Sequence, residues 1–178
     1  MKKHPIPNLM TFVLVLLAFQ FASCQTRILT PTPEKNPFTI TMTIDFAKWQ
    51  VDRYDAISFS DTDHPGGGIK GRKFNSKVGP QQLLKWEAKI TNTEKKDLEV
   101  ILITVFRDPV KGGDQVLAAP WYDSKNGGRH IIGWTRNFVL ENESEELIEH
   151  YLISFAITDK KGKYDVYTID PFLIGHDR

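Results

Sequence analysis

Phe38-Thr39-Ile40-Thr41-Met42-Thr43-Ile44-Asp45-Phe46 alternates strictly, apolar at every even position and polar at every odd one. A period of two puts all the apolar side chains on one face of an extended chain, whereas a helix would need a period near 3.6. The Thr and Ile residues are β-branched and suit a pleated surface. The stretch therefore predicts a half-buried β-strand, and it sets the fold class of the chain.

Further strands appear downstream. Ala56 to Ser60 is a short one. Leu84, Trp86, Ala88 and Ile90 alternate with Lys85, Glu87 and Lys89. Thr91 to Asp97 is polar and predicts a turn. Leu98 to Phe106 is apolar at nearly every position, which predicts a strand buried on both faces. Val116 to Ala119 is a short candidate, and Ile132, Trp134, Phe138 and Leu140 form another with Arg136 among them. Tyr151, Ile153, Phe155 and Ile157 alternate, Asp159 to Gly162 turns the chain, and Lys163 to Ile169 pairs back. Leu84–Ile90 with Leu98–Phe106, and Tyr151–Ile157 with Lys163–Ile169, read as hairpins. No helical period is sustained. The expectation is an all-β domain, a single antiparallel β-sandwich of the immunoglobulin-like kind with six to eight strands. A small closed barrel is the alternative.

Upstream of Phe38 the chain changes character. Lys2 and Lys3 precede an apolar run from Leu9 to Ala22, the pattern of an export signal. As a helix, that run would span about 21 Å against a hydrocarbon core of roughly 30 Å, too short for a permanent span. Phe21-Ala22-Ser23-Cys24 resembles the lipobox of bacterial lipoproteins, with Phe21 in place of the usual Leu. The resemblance implies lipidation of the Cys24 thiol, cleavage before it and acylation of the new amino terminus. Cys24 is the one cysteine of the chain, so no internal disulfide can form. Pro31, Pro33 and Pro37 make residues 24–37 an extended, semi-rigid tether. The expected organisation is a signal at 1–23, a lipidated tether at 24–37 and one β domain at 38–178. Gln25 is not the Asp of an inner-membrane retention signal, so the expected location is the cell envelope, as an outer-membrane lipoprotein facing the periplasm.

The 178 residues are 40% hydrophobic and carry 23 basic against 22 acidic side chains. Loss of Lys2 and Lys3 with the signal leaves 21 basic against 22 acidic, a formal charge of −1. That balance argues against a nucleic-acid partner. The sequence has no Gly-x-Ser-x-Gly elbow, no His-Glu-x-x-His and no phosphate-binding loop, and no cofactor is expected. Two stretches carry candidate chemistry. Asp61, Asp63 and His64 precede a Gly-rich loop and offer oxygen and imidazole ligands to a metal. Trp121, Tyr122, Asp123, Asn126 and Arg129 combine aromatic faces with polar groups able to fix a ligand's hydroxyls. Trp49 and Tyr54 are a weaker aromatic pair, and Trp86 reads as core. The acidic run Glu141, Glu143, Glu145, Glu146 and Glu149 reads as a solvated face. Asn142-Glu143-Ser144 matches a glycosylation acceptor in form only.

Several ordered stretches resemble the bacterial inclusion-body protein family of small β-sandwiches. They are Asp61–Pro65, Val78-Gly79 ahead of Leu84-Lys85-Trp86, Tyr151-x-Ile153-x-Phe155, Gly162-Lys163-Tyr164, and Asp170-Pro171-Phe172-Leu173-Ile174. The chain departs from that family's pattern where Pro80 follows Gly79 and where Ile169 precedes Asp170. The resemblance implies a β-sandwich and transfers no active site. The expected function is a non-enzymatic envelope binding module with a protein or glycan ligand, attached to the membrane through Cys24. The alternatives are a hydrolase of envelope polymers using loop carboxylates, or a metal-binding protein through Asp61, Asp63 and His64. Cells fed a fatty-acid analogue should label the wild-type chain and not Cys24→Ala. Equal labelling of both would remove the lipid anchor.

Overall fold

The computed structural model describes residues 36–176 apart from 66–68, 96, 126, 143, 144, 160 and 163. The expected signal at 1–23, Cys24 and most of the tether lie outside the described residues. Strand β1 is Phe38–Asp45, and its even positions Phe38, Ile40, Met42 and Ile44 are at most 2% exposed. Asp45 ends the strand by accepting the Lys48 N–H at 3.2 Å, which caps the one-turn helix α1, Phe46–Trp49. β2, Ile57–Asp61, returns antiparallel beside β1. β3 (Ile69–Lys70), a 3-10 turn (Gly71–Lys73) and β4 (Asn75–Val78) come after it. Next are β5 (Leu83–Thr91), β6 (Glu99–Arg107), β7 (Trp121–Asp123) and β8 (His130–Trp134). The chain closes with β9 (Leu147–Thr158), β10 (Tyr164–Ile169) and β11 (Phe172–Gly175).

These strands form two sheets, in the orders β3-β2-β1-β5-β8 and β4-β11-β9-β6-β7, with β10 also paired to β9. Both sheets are mixed. β1 runs parallel to β5, and β4 runs parallel to β11, in place of the antiparallel pairing expected throughout. The residue pattern does not register this difference because side chains alternate with the same period in both kinds of ladder. The crossover that a parallel pair requires is supplied between β1 and β5 by an excursion through β2, β3 and β4.

The inner faces pack together. Trp86 of the first sheet meets Tyr151 of the second with ring centroids 6.1 Å apart, and both side chains are essentially fully buried. Phe59 stacks on Phe74 at 5.0 Å, and Trp49 sets its edge against Tyr167 at 4.8 Å. Each such buried side chain contributes about 1.5–3 kcal/mol relative to exposure. Trp49 is therefore core.

Three other expectations change. β5 and β6 are not a hairpin. The 92–98 connection carries the chain from one sheet to the other, β5 lying between β1 and β8 and β6 between β9 and β7. The Ile132–Leu140 stretch is strand only to Trp134, and Phe138 and Leu140 are buried from irregular chain. Val116–Ala119 reduces to one bridge, Leu117 opposite Thr135. The second expected hairpin is present and extends further than the alternation suggests. Ile169 lies opposite Ile153 and Phe172 opposite His150, so β10 and β11 pair with β9 in one continuous register, interrupted only at Asp170-Pro171.

A tight turn joins β7 to β8, and with it the two sheets. Gly128 accepts the Leu102 N–H at 2.9 Å, pinning the turn to β6 where that strand bulges between Leu102 and Thr104. Gly128 has φ +77°, and an added Cβ would lie 2.0 Å from Ile101 Cγ2 and 2.9 Å from the Leu102 carbonyl. Gly127 has φ +71° and open space around it. Gly127→Ala should cost about 1–2 kcal/mol from the left-handed backbone alone, and Gly128→Ala about 2–5 kcal/mol because the clash adds to it. Urea denaturation of the two variants checks the order. Equal losses would mean that the turn is not seated on β6 as described.

Candidate functional site

The sandwich has two unlike outer faces. On the first sheet the outward positions are Thr39, Thr41 and Thr43 of β1, Ser58 and Ser60 of β2, and Lys85, Glu87 and Lys89 of β5. Glu87 accepts from Thr41 at 3.1 Å and pairs with Lys85 at 2.7 Å. These contacts hold its carboxyl below the ordinary value, with the Lys85 bond contributing most. This is an ordinary solvated face.

The second sheet differs, and β6 is the reason. Its inward residues Leu102 and Val105 are buried, but the opposite face is not covered among the described residues, contrary to the expectation of a strand buried on both sides. Ile103 is 38% exposed, while Ile101 and Phe106 are half-buried. Pairing registers turn this face into stripes. Trp121 lies opposite Phe106, which lies opposite Leu152. In the next row Asp123 lies opposite Thr104, Thr104 opposite Ser154, and Ser154 opposite Thr168. The third row is Ile101, Ala156 and Val166. An apolar row, a row of hydroxyls ending in a carboxylate and a second apolar row thus lie side by side, about 7 Å apart along the strands. Ser154 and Thr168 hydroxyls meet at 3.2 Å. Trp121, on the edge strand β7, is 61% exposed.

The structure divides the aromatic candidates. Trp121 and Asp123 reach this outer face. Tyr122, between them, points inward by strand alternation and is not placed to meet a ligand beside them. Its hydroxyl accepts the Ala119 N–H and donates to the Trp134 carbonyl, both at 2.9 Å, and its ring lies 6.0 Å from Trp86. Burial pushes the phenol up from its ordinary range. Arg129 is exposed in a separate groove of about 550 Å3 lined also by Lys89, Lys95 and Glu99. Asn126 lies outside the described residues. Tyr54 is 60% exposed and lies near Val166 and Thr168, at the opposite end of the rows from Trp121.

The Asp61 cluster is occupied by its own chain. Asp61 Oδ1 accepts the backbone N–H groups of Asp63 (3.1 Å) and His64 (2.8 Å) and lies 3.0 Å from His64 Nδ1. Its Oδ2 accepts the Ser76 hydroxyl at 2.8 Å, linking β2 of one sheet to β4 of the other. The serine therefore meets the carboxylate and not the imidazole, which is not the arrangement that activates a serine nucleophile. Among the described residues no three His, Cys, Asp or Glu side chains group closely enough to hold a metal ion.

Glu149 belongs by composition to a solvated acidic run and is instead buried, at 1% exposure. Its Oε2 accepts the N–H groups of Val116 (2.5 Å) and Leu117 (2.6 Å), and its Oε1 lies 3.7 Å from Arg107 Nε. Glu146 pairs with Lys77 at 2.9 Å, and Glu145 accepts the Glu141 N–H at 2.8 Å. Sequence reasoning also misses Phe106, Leu152, Thr104, Ser154 and Thr168. The signal that could have found Phe106 is the Val100–Phe106 run, apolar at all but Thr104, which carries more apolar side chains than one core face can bury, whereas Leu152, Ser154 and Thr168 join it only through strand pairing.

The fold is that of a two-sheet β-sandwich domain with two unlike outer faces. No protein-family model matches the chain, and no curated protein matches it. Among solved structures it is similar to the inclusion body protein PixA from Burkholderia cenocepacia J2315, at 12% identity and a TM-score of 0.49, over 84% of this chain and 100% of that one.

Burial raises the Glu149 carboxyl above its ordinary value of 4.5, against the lowering effect of the two N–H groups and Arg107. A carboxyl with a raised folded pKa binds its proton more tightly in the folded state. Its contribution to stability is therefore greatest below pH 4.5 and declines as pH rises through the raised value. Glu149→Ala should cost about 2–5 kcal/mol by leaving two buried donors unpaired. Glu149→Gln should cost less, because it keeps an acceptor, and should lose this component of the pH dependence. Urea melts from pH 4 to 8 check both; parallel pH profiles for wild type and the Gln variant would refute the linkage.

Proposed function

We propose that this chain is a cell-envelope lipoprotein, anchored through Cys24, whose β-sandwich is a non-enzymatic binding module for a protein or glycan. The observation that carries the binding reading is the exposed Trp121 at the end of the Trp121–Phe106–Leu152 row, beside the Asp123–Thr104–Ser154–Thr168 row. An indole face offers stacking area, and an adjacent line of hydroxyls with one carboxylate offers hydrogen bonds that orient a ligand. A flat surface of this kind accepts a sugar ring or the side chains of a partner protein. The anchor and the outer-membrane, periplasm-facing location rest on the lipobox-like Phe21-Ala22-Ser23-Cys24 and on Gln25. No helix among the described residues is long and apolar enough to cross a membrane.

The sandwich is read as a variant of the immunoglobulin-like kind in which two strand pairs run parallel. What supports this is the passage of successive strands between sheets at β3–β4, β4–β5, β5–β6, β7–β8 and β8–β9. The hydrolase alternative would need two carboxylates across a cleft with one of them protonated. Asp45, Asp52 and Asp55 share a shallow groove, but the Asn92 and Lys48 contacts hold Asp45 below its ordinary value, which favours a charged group over an acid catalyst.

Glycan arrays and pull-downs against envelope extracts test the binding reading. Trp121→Ala should weaken binding at least tenfold, about 1.4 kcal/mol or more, while thermal unfolding stays close to wild type. Binding undiminished by Trp121→Ala would remove this face as the site.

A further inference from the structure

We propose that the free edge of β10 is a docking site for an extended peptide, which joins the second sheet as an added strand. This edge borders the striped face, two of whose rows end at Val166 and Thr168, but lies at the far side of it from Trp121 and does not require Trp121. The hydrogen-bond phase of the hairpin identifies it. Tyr151 N–H donates to the Pro171 carbonyl at 3.2 Å, so positions 151 and 171 are a hydrogen-bonded pair. Along an antiparallel ladder such pairs recur every second residue. Residues 165, 167 and 169 therefore turn their N–H and C=O groups toward β9, and 164, 166 and 168 turn theirs away.

Further along the same strand line the outward groups are used. Phe172 N–H donates to the Phe74 carbonyl at 3.4 Å and His176 N–H to the Val78 carbonyl at 2.9 Å, both on or beside β4. Opposite Tyr164, Val166 and Thr168 that neighbour is missing among the described residues, and β10 pairs with β9 alone. The edge is accessible: Tyr164 is 64% exposed and Val166 55%. A cavity of about 360 Å3 touches Val166, Tyr167, Thr168 and Ile169 in succession. Side chains of consecutive strand residues point to opposite faces, so a cavity that meets all four runs along the edge. Its far wall is Trp49, Arg53 and Tyr54, with the Arg53 guanidinium 5.2 Å from the Tyr167 ring centre.

The pattern of groups selects the occupant. One outward donor and one outward acceptor recur at every second residue, and an extended polypeptide backbone reproduces that repeat. The wall presents the exposed Tyr54 ring, so the peptide should carry apolar side chains at alternate positions. The slot lies in line with β4, so the added strand would extend the row that β4 begins. A long exposed edge is normally blunted by Pro, by charge or by a covering loop. Here Asp165 points toward the inner side and the nearest proline is Pro171, beyond the strand.

The test uses random twelve-residue peptides displayed on phage, selected against the full chain in detergent and resynthesised for fluorescence anisotropy. Val166→Pro removes one outward donor without touching the β9 ladder, and edge positions tolerate proline. Enriched peptides with alternating apolar residues should bind Val166→Pro at least tenfold more weakly, and Val166→Thr and Trp121→Ala within twofold of wild type. Should Val166→Pro fail to fold, hydrogen exchange on the wild-type chain replaces it: bound peptide should slow the amides of Val166 and Thr168. The proposal is overturned by failure to enrich any peptide, by equal binding to Val166→Pro, or by unchanged exchange at those amides. Self-association that Val166→Pro abolishes would also overturn it, in favour of a second copy of the chain as the occupant.

Discussion

The continuous register between 147–158 and 164–175 governs this domain. It sets which residues of β9 face inward, and through them which side of the second sheet is core. Tyr151, Ile153 and Phe155 then meet Trp86 and Trp49 across the interior, while Leu152, Ser154 and Ala156 face away. A slip of one residue would exchange those two sets and place Glu149 on the surface. Pro171, which lacks an N–H, stands in the pairing line without breaking the register. It marks where the strand's outer edge passes from β4 to open slot.

Two buried carboxylates hold the margins that regular pairing leaves loose. Glu149 fixes the 116–117 chain by taking two backbone donors. Asp61 closes its own turn and reaches Ser76 on the opposite sheet. Neither acts as an exposed acid. Each is placed where an unpaired buried N–H or hydroxyl would otherwise destabilise the fold. The Asp61 side chain is thus engaged by its own turn and by Ser76, and the proposed contact surfaces lie instead on the second sheet.

Much of the fold is legible in the chain. The alternation in Phe38–Asp45, Leu84–Ile90 and Tyr151–Ile157 marks strands and their buried faces correctly, because period two reports burial directly. What it does not report is which strands are neighbours. Leu84–Ile90 and Leu98–Phe106 look like hairpin partners because a turn joins them, yet each already has two other neighbours. Tyr122 and Trp121 look like one aromatic patch, and strand geometry sends them to opposite faces. Of the candidate site, Trp121 and Asp123 are visible in the residue pattern. Phe106, Leu152, Thr104 and Ser154 are not, since they come together only through pairings across distant parts of the chain. Glu149 is hidden by its acidic surroundings, which resemble a solvated run.

The parallel pairing of β4 with β11 has a kinetic side. β4 has no place in the second sheet until residues 172–175 arrive beside it, nearly a hundred positions later in the chain. Contacts of such sequence separation are slow to form, because the intervening loop must first be ordered. The sheet therefore cannot be completed during synthesis of its first two-thirds, and a chain emerging from the ribosome stays open until those last strands are made. Such a delay is compatible with any route that handles polypeptides in unfolded form, and it makes truncations near residue 172 more damaging than their length implies.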